Sequence, residues 1–127
     1  MTCLVTFESD TWRLERDDLV RALASDWPQA EVSVAHPDSP GAEVRAVEWI
    51  VRSEHGMLEG YAHSNGQCVY LEGPIELVAD FAVWYRRLLP ADLQVIFCDE
   101  SYSFDGVIPP DAVRGDVLAI VESAGQS

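Results

Sequence analysis

The residues best equipped for chemistry sit in one run, Cys98-Asp99-Glu100, with Asp105 close behind and His63 and Cys68 earlier in the chain. A cysteine beside a histidine base can act as a nucleophile. Asp, Glu and His together can hold a metal ion. Cys98, Asp99, Glu100 and His63 are therefore the catalytic candidates, at the C-terminal end of an apolar strand, where α/β-type sites form. Two features weigh against them. A reactive thiol needs its thiolate favoured, and adjacent carboxylates oppose that. The three histidines, at 36, 55 and 63, match no helix-borne metal motif such as H-E-x-x-H. The expectation is a core cysteine followed by solvated loop acids, with no metal and no cofactor.

Composition narrows the field further. The chain has 127 residues, with 22 acidic side chains against 8 basic ones and a formal net charge of −14. Every basic residue is arginine, so a P-loop lysine, a Schiff-base lysine and a polybasic membrane patch are excluded. Direct nucleic-acid binding needs clustered positive charge, which is missing. A field this negative suits a basic protein partner, and it also keeps a protein soluble. The Lys-free, Ala/Val-rich usage fits a GC-rich bacterial coding bias. Cys3, Cys68 and Cys98 are odd in number and lack C-x-x-C spacing, which argues against a disulfide framework or a zinc site. No run approaches the ~18 apolar residues of a membrane span, and the N-terminus carries no signal-peptide pattern. A cytoplasmic location is expected.

The elements that must position these residues read as β-α-β-β-β-β-α-β-α. Strands are expected at 3–8, 31–35, 44–52, 57–63, 67–72 and 93–98, and helices at about 17–27, 74–89 and 111–123. Asp17 and Asp18 in the first turn, and Glu76 early with Arg86 and Arg87 late, match the two helix dipoles. Leu19, Val20, Leu23 and Trp27 form one apolar stripe, and Leu77, Val78, Phe81, Trp84, Tyr85 and Leu88 another. The third helix would bury Val113, Val117, Ile120 and Val121. The segment His36–Gly41 reads as a loop, and 99–110 as another. The fold class is α+β, a two-layer sandwich with a mainly antiparallel sheet and helices on one face. One domain is expected over 1–124, followed by a frayed tail at 125–127.

The centre of the chain is the most informative part. Asn65-Gly66 is a strong hairpin signal, because a type I′ turn needs positive φ at both central positions. His55-Gly56 is a weaker one. Two-residue turns at both sites would set Tyr61 opposite Tyr70, Glu59 opposite Glu72 and His63 opposite Cys68. They would also set Arg52 opposite Glu59, Ile50 opposite Tyr61 and Glu48 opposite His63. One face then carries Val47, Trp49, Val51, Leu58, Gly60, Ala62, Val69 and Leu71. The other carries Glu48, Ile50, Arg52, Glu59, Tyr61, His63, Cys68, Tyr70 and Glu72. A one-residue slip would mix the two sets, so the clean sorting supports the alternation.

Three functions follow. The first is a non-catalytic, acidic protein-binding domain using Glu48, Ile50, Arg52, Glu59, Tyr61, His63, Tyr70 and Glu72. Its partner would be a basic protein or a second copy in an isologous homodimer. The second is a small enzyme built on the acids after strand 93–98 with His63 or a cysteine. The third is a DNA mimic that inhibits a basic protein.

Overall fold

The protein is described by a computed structural model covering residues 2–34 and 45–123. The His36–Gly41 loop and the 125–127 tail lie outside the described residues. The elements are β1 (Thr2–Thr6), α1 (Arg16–Asp26), β2 (Glu31–Val34), β3 (Arg45–Ser53), β4 (Gly56–His63), β5 (Cys68–Glu72), α2 (Ile75–Arg87), β6 (Ile96–Asp99), β7 (Asp105–Val107) and α3 (Arg114–Ser123). The fold is α+β. All seven strands form one sheet in the order β2-β3-β4-β5-β1-β6-β7, and every neighbouring pair is antiparallel.

That order fixes where the helices cross. β1 and β2 point the same way across four pairings, as do β5 and β6 on either side of β1. α1 and α2 each span one of these parallel jumps. Both supply apolar side chains to the core, including Leu19 and Leu23 from α1 and Val78, Phe81 and Tyr85 from α2. They meet Val47, Trp49, Val51, Leu58, Val69, Leu71 and Phe97 of the sheet, all fully buried. Trp49 stacks on Phe81 with centroids 5.1 Å apart and planes at 14°. Gly60 lies against that indole, and a Cβ there would come within 2.5 Å of Trp49 Nε1. β4 therefore needs the missing side chain to let the tryptophan lie flat.

Several sequence expectations are corrected. The 99–110 segment contains β7, which pairs Cys98 with Asp105 and Phe97 with Gly106. Three residues are too few to show a period. α3 begins at Arg114, where Asp116 Oδ2 accepts the Val113 N–H at 2.9 Å, so Val113 stands outside the helix and exposed. The Asn65 turn is not type I′, because of its two central residues only Gly66 has positive φ, at +72°. It is closed by the Gly66 N–H to the His63 carbonyl at 3.0 Å and by Asn65 Oδ1 accepting the Gln67 N–H at 2.9 Å. The expected β4–β5 register survives this change, with Tyr61 opposite Tyr70 and Glu59 opposite Glu72.

The β3–β4 register differs by two residues. Glu48 pairs with Tyr61, Ile50 with Glu59 and Arg52 with Met57. The bend is centred on Glu54-His55, and Gly56 is the first residue of β4 with φ +132°. Ser53 Oγ accepts the His55 N–H at 3.1 Å and donates to the Gly56 carbonyl at 3.2 Å, which fixes that phase. A shift of two preserves which side of the pleat each residue occupies, so the sorting into two faces is unchanged.

Arg86, expected as a cation matching the dipole at the end of the second helix, does more than that. It is 1% exposed, and its guanidinium donates to the carbonyls of Ile108 (2.9 Å), Leu93 (3.0 Å), Pro90 (3.1 Å), Ala91 (3.3 Å) and Leu89 (3.5 Å). One side chain thus ties the α2–β6 connection to the segment after β7. Among the described residues, no helix is long and apolar enough to cross a membrane.

Candidate functional site

The side of the sheet opposite the core is where the functional side chains collect. One transverse row of pairs runs from Glu48 through Tyr61, Tyr70 and Leu4 to Cys98 and Asp105. At its centre the two phenols stack, with centroids 4.5 Å apart and planes at 15°. Both are half-buried. Cross-strand aromatic pairs of this kind stabilise a sheet by roughly 0.5–1.5 kcal/mol beyond their burial, yet they leave ring surface available. Burial, first of all, raises the Tyr70 pKa above its ordinary value.

Arg45 completes the cluster, and sequence alternation missed it. Regular alternation places Arg45 with Val47 and Trp49 on the apolar side. A bulge between Arg45 and Val47 breaks that alternation and sets Arg45 opposite His63. The guanidinium then lies 4.2 Å from the Tyr61 ring centroid and 3.2 Å from Glu48 Oε1. Such a cation over a phenol face is attracted by the ring quadrupole. A two-to-one strand mismatch leaves no mark in composition, so nothing in the sequence signalled it.

Around the phenols the charge is uneven. Arg52 Nη1 reaches Glu31 Oε1 at 2.6 Å, and that hydrogen bond holds the Glu31 carboxyl below its usual range. Glu59 and Glu72 face each other as Cα partners, and neither makes a salt bridge among the described residues. Like charges directly opposite destabilise a sheet. Glu48, Ile50, Glu59, Tyr61, Tyr70 and Glu72 all border a shallow concavity of about 260 Å³, together with Thr2 and Arg45. Arg52 lies at its edge on β3, and His63 lies beyond Tyr61 toward the hairpin.

The catalytic candidates do not converge. Cys98 on β6 and His63 on β4 are separated by β5 and β1, a distance of about 14 Å at normal strand spacing. Cys98 is 1% exposed, and burial, aided by Asp99 and Asp105, pushes its thiol pKa up. Asp99 is committed to the turn that follows. Its carboxylate accepts the Ser103 N–H at 2.7 Å, the Ser101 hydroxyl at 3.1 Å and the Ser103 hydroxyl, and the Ser103 hydroxyl bond chiefly holds its pKa below the usual value. Glu100 is exposed, and its backbone N–H donates to the Thr2 carbonyl.

His63 and Cys68 both border one cavity at the hairpin end of the sheet. His63 Nδ1 accepts the Asn65 N–H at 3.0 Å, so the neutral ring carries its proton on Nε2 and has no nitrogen free to act as a base. Desolvation raises the Cys68 pKa to about 11, which keeps it a thiol. Among the described residues no group of three or more His, Cys, Asp or Glu is placed to hold a metal ion. What the geometry does assemble is an aromatic centre with a polar, mainly acidic rim. No protein-family model matches the chain, and no curated protein or solved structure matches it either.

Proposed function

We propose that this is a non-catalytic protein-binding domain whose tyrosine-centred sheet face engages a basic partner. The observation that carries this reading is the stacked, half-buried Tyr61–Tyr70 pair on the side of the sheet that the helices leave uncovered. Tyrosine and arginine at the middle of a patch, with polar residues around them, are the usual composition of an interface hot spot. The charge argues for the partner's sign. Glu59 and Glu72 are opposed, neither making a salt bridge among the described residues, and the whole chain carries −14. A Lys- or Arg-rich segment laid across β4 and β5 would relieve that repulsion. A second copy would not, because an isologous face-to-face dimer brings the same acidic rim against itself, and like-charge juxtaposition across an interface costs several kcal/mol.

The test is affinity purification from the native host, followed by titration of the purified partner against wild type and against a Tyr61→Ser/Tyr70→Ser variant. The expected result is one basic protein, bound at least tenfold more weakly by the variant, with affinity that falls as salt rises. An acidic partner, or an affinity indifferent to the two phenols, would overturn the reading. If the partner binds nucleic acid, competition by duplex DNA tests the narrower idea that the face mimics DNA.

A further inference from the structure

A second concavity, of about 390 Å³, lies between the start of α1 and the hairpin end of the sheet. It shares no lining residue with the concavity beside the two phenols, although His63 and Cys68, at the hairpin end of that face, border it. Its inner wall includes Leu19, Val47, Ala62 and Tyr85, all buried, and its mouth includes Arg13 and Arg16.

Two independent observations make this more than a crevice. The first is Tyr85. It is only 1% exposed, yet its hydroxyl makes no hydrogen bond among the described residues. That oxygen is also not one of the sealed, partnerless atoms among the described residues, which are Trp27 Nε1 and Trp49 Nε1. The little surface Tyr85 keeps therefore includes its hydroxyl, at the wall of this cavity. Leaving a buried hydroxyl unpaired is unfavourable, and here a void stands beside the group. The second observation is α1. Its N-cap, Glu15, makes no side-chain cap hydrogen bond, so the first-turn N–H groups of an 11-residue helix have no acceptor of their own. Hydrogen-bond donors thus gather around an apolar floor: one phenol hydroxyl and the α1 amides, with the Arg13–Glu15 and Arg16–Asp17 pairs at the mouth.

We propose that this cavity binds a small monocarboxylate with an apolar body, its oxygens accepting from Tyr85 and the start of α1 and its body resting on Leu19, Val47 and Ala62. A carboxylate fits the helix N-terminus as backbone amides and dipole both favour it. Glu15 and Asp17 at the same mouth are already paired with Arg13 at 3.1 Å and Arg16 at 3.5 Å, so local repulsion is small despite the overall charge. The site does not depend on the tyrosine-face reading, and either can fail alone.

Sodium phenylacetate is the probe, titrated into the full chain and followed by two-dimensional NMR of the backbone amides, with phenylacetamide as the uncharged control. Saturable shifts at Leu19, Val47 and Ala62 are expected, with phenylacetamide markedly weaker. Tyr85→Phe should weaken phenylacetate about fivefold, the worth of one hydrogen bond, while the melting temperature stays level or rises, because the hydroxyl lost had no partner. Absence of saturable shifts up to about 20 mM, far weaker than a built site gives, would overturn the proposal. So would equal binding of phenylacetamide, or a Tyr85→Phe variant that binds phenylacetate unchanged.

Discussion

Arg86 and the Glu59–Glu72 pair pose the same electrostatic question at two places, and the protein answers it in opposite ways. Arg86 is sealed inside, and five backbone carbonyls accept its donors. A charge removed from water must be answered by the protein itself. Glu59 and Glu72 stand on the side of the sheet opposite the core, exposed to water, and among the described residues neither makes a salt bridge, Arg52 being hydrogen-bonded to Glu31 and acting on Glu59 only through its charge. One region has spent its polar groups on holding loops together. The other keeps them unspent beside two aromatic rings. This is the contrast expected between a structural centre and a surface kept for a partner.

The contrast can be broken first at Arg86. Arg86→Met takes the guanidinium away from the carbonyls of Ile108, Leu93 and Ala91, and a loss of about 3–5 kcal/mol in unfolding free energy is expected by denaturant titration. Arg86→Lys should recover little, since an ammonium cannot reproduce the planar five-donor fork. On the tyrosine face, the Tyr61→Ser/Tyr70→Ser variant should lose only about 1–2 kcal/mol, the stacking plus part of the ring burial, and remain folded by circular dichroism. A loss as large as that of Arg86→Met would place the phenols in the core. Glu72→Arg should be the mildest and of opposite sign. Replacing one of two opposed carboxylates by a cation is worth up to about 1 kcal/mol of added stability, read as a higher melting temperature at low salt that shrinks as salt is added. The same substitution should weaken the basic partner.

Much of this was legible because the pleat has a period of two. Alternation from Val47 to Leu71 sorted the two faces correctly even though the Glu54-His55 bend moved the β3–β4 register, since the move was by two residues. Asn65-Gly66 gave the right strand pairing through a different turn, because the register depends on loop length and not on the sign of φ at Asn65. The α+β class followed from element order. What stayed hidden has a common cause: each feature depends on contacts distant in the chain or on a local break in period. The bulge before Val47 turned Arg45 over Tyr61. Asp105–Val107 became a strand only because β6 offered it an edge. Arg86 reads as a helix-end cation until the Pro90 and Ile108 segments fold around it. For the same reason the sequence could not place Cys98 and Asp99 relative to His63: two strands separate the thiol from the imidazole, and the carboxylate is held by Ser101 and Ser103.

The four tyrosines allow the central idea to be measured in one experiment. Tyr102 is 76% exposed and Tyr85 is 1% exposed, so they set the upper and lower limits of reactivity. Tyrosine nitration read site by site by mass spectrometry should modify Tyr61 and Tyr70 at rates between those limits in the free protein, and binding of the basic partner should protect both while leaving Tyr102 unchanged. If Tyr61 and Tyr70 are as inert as Tyr85 in the free chain, or react equally with and without the partner, the sheet face is not the docking surface.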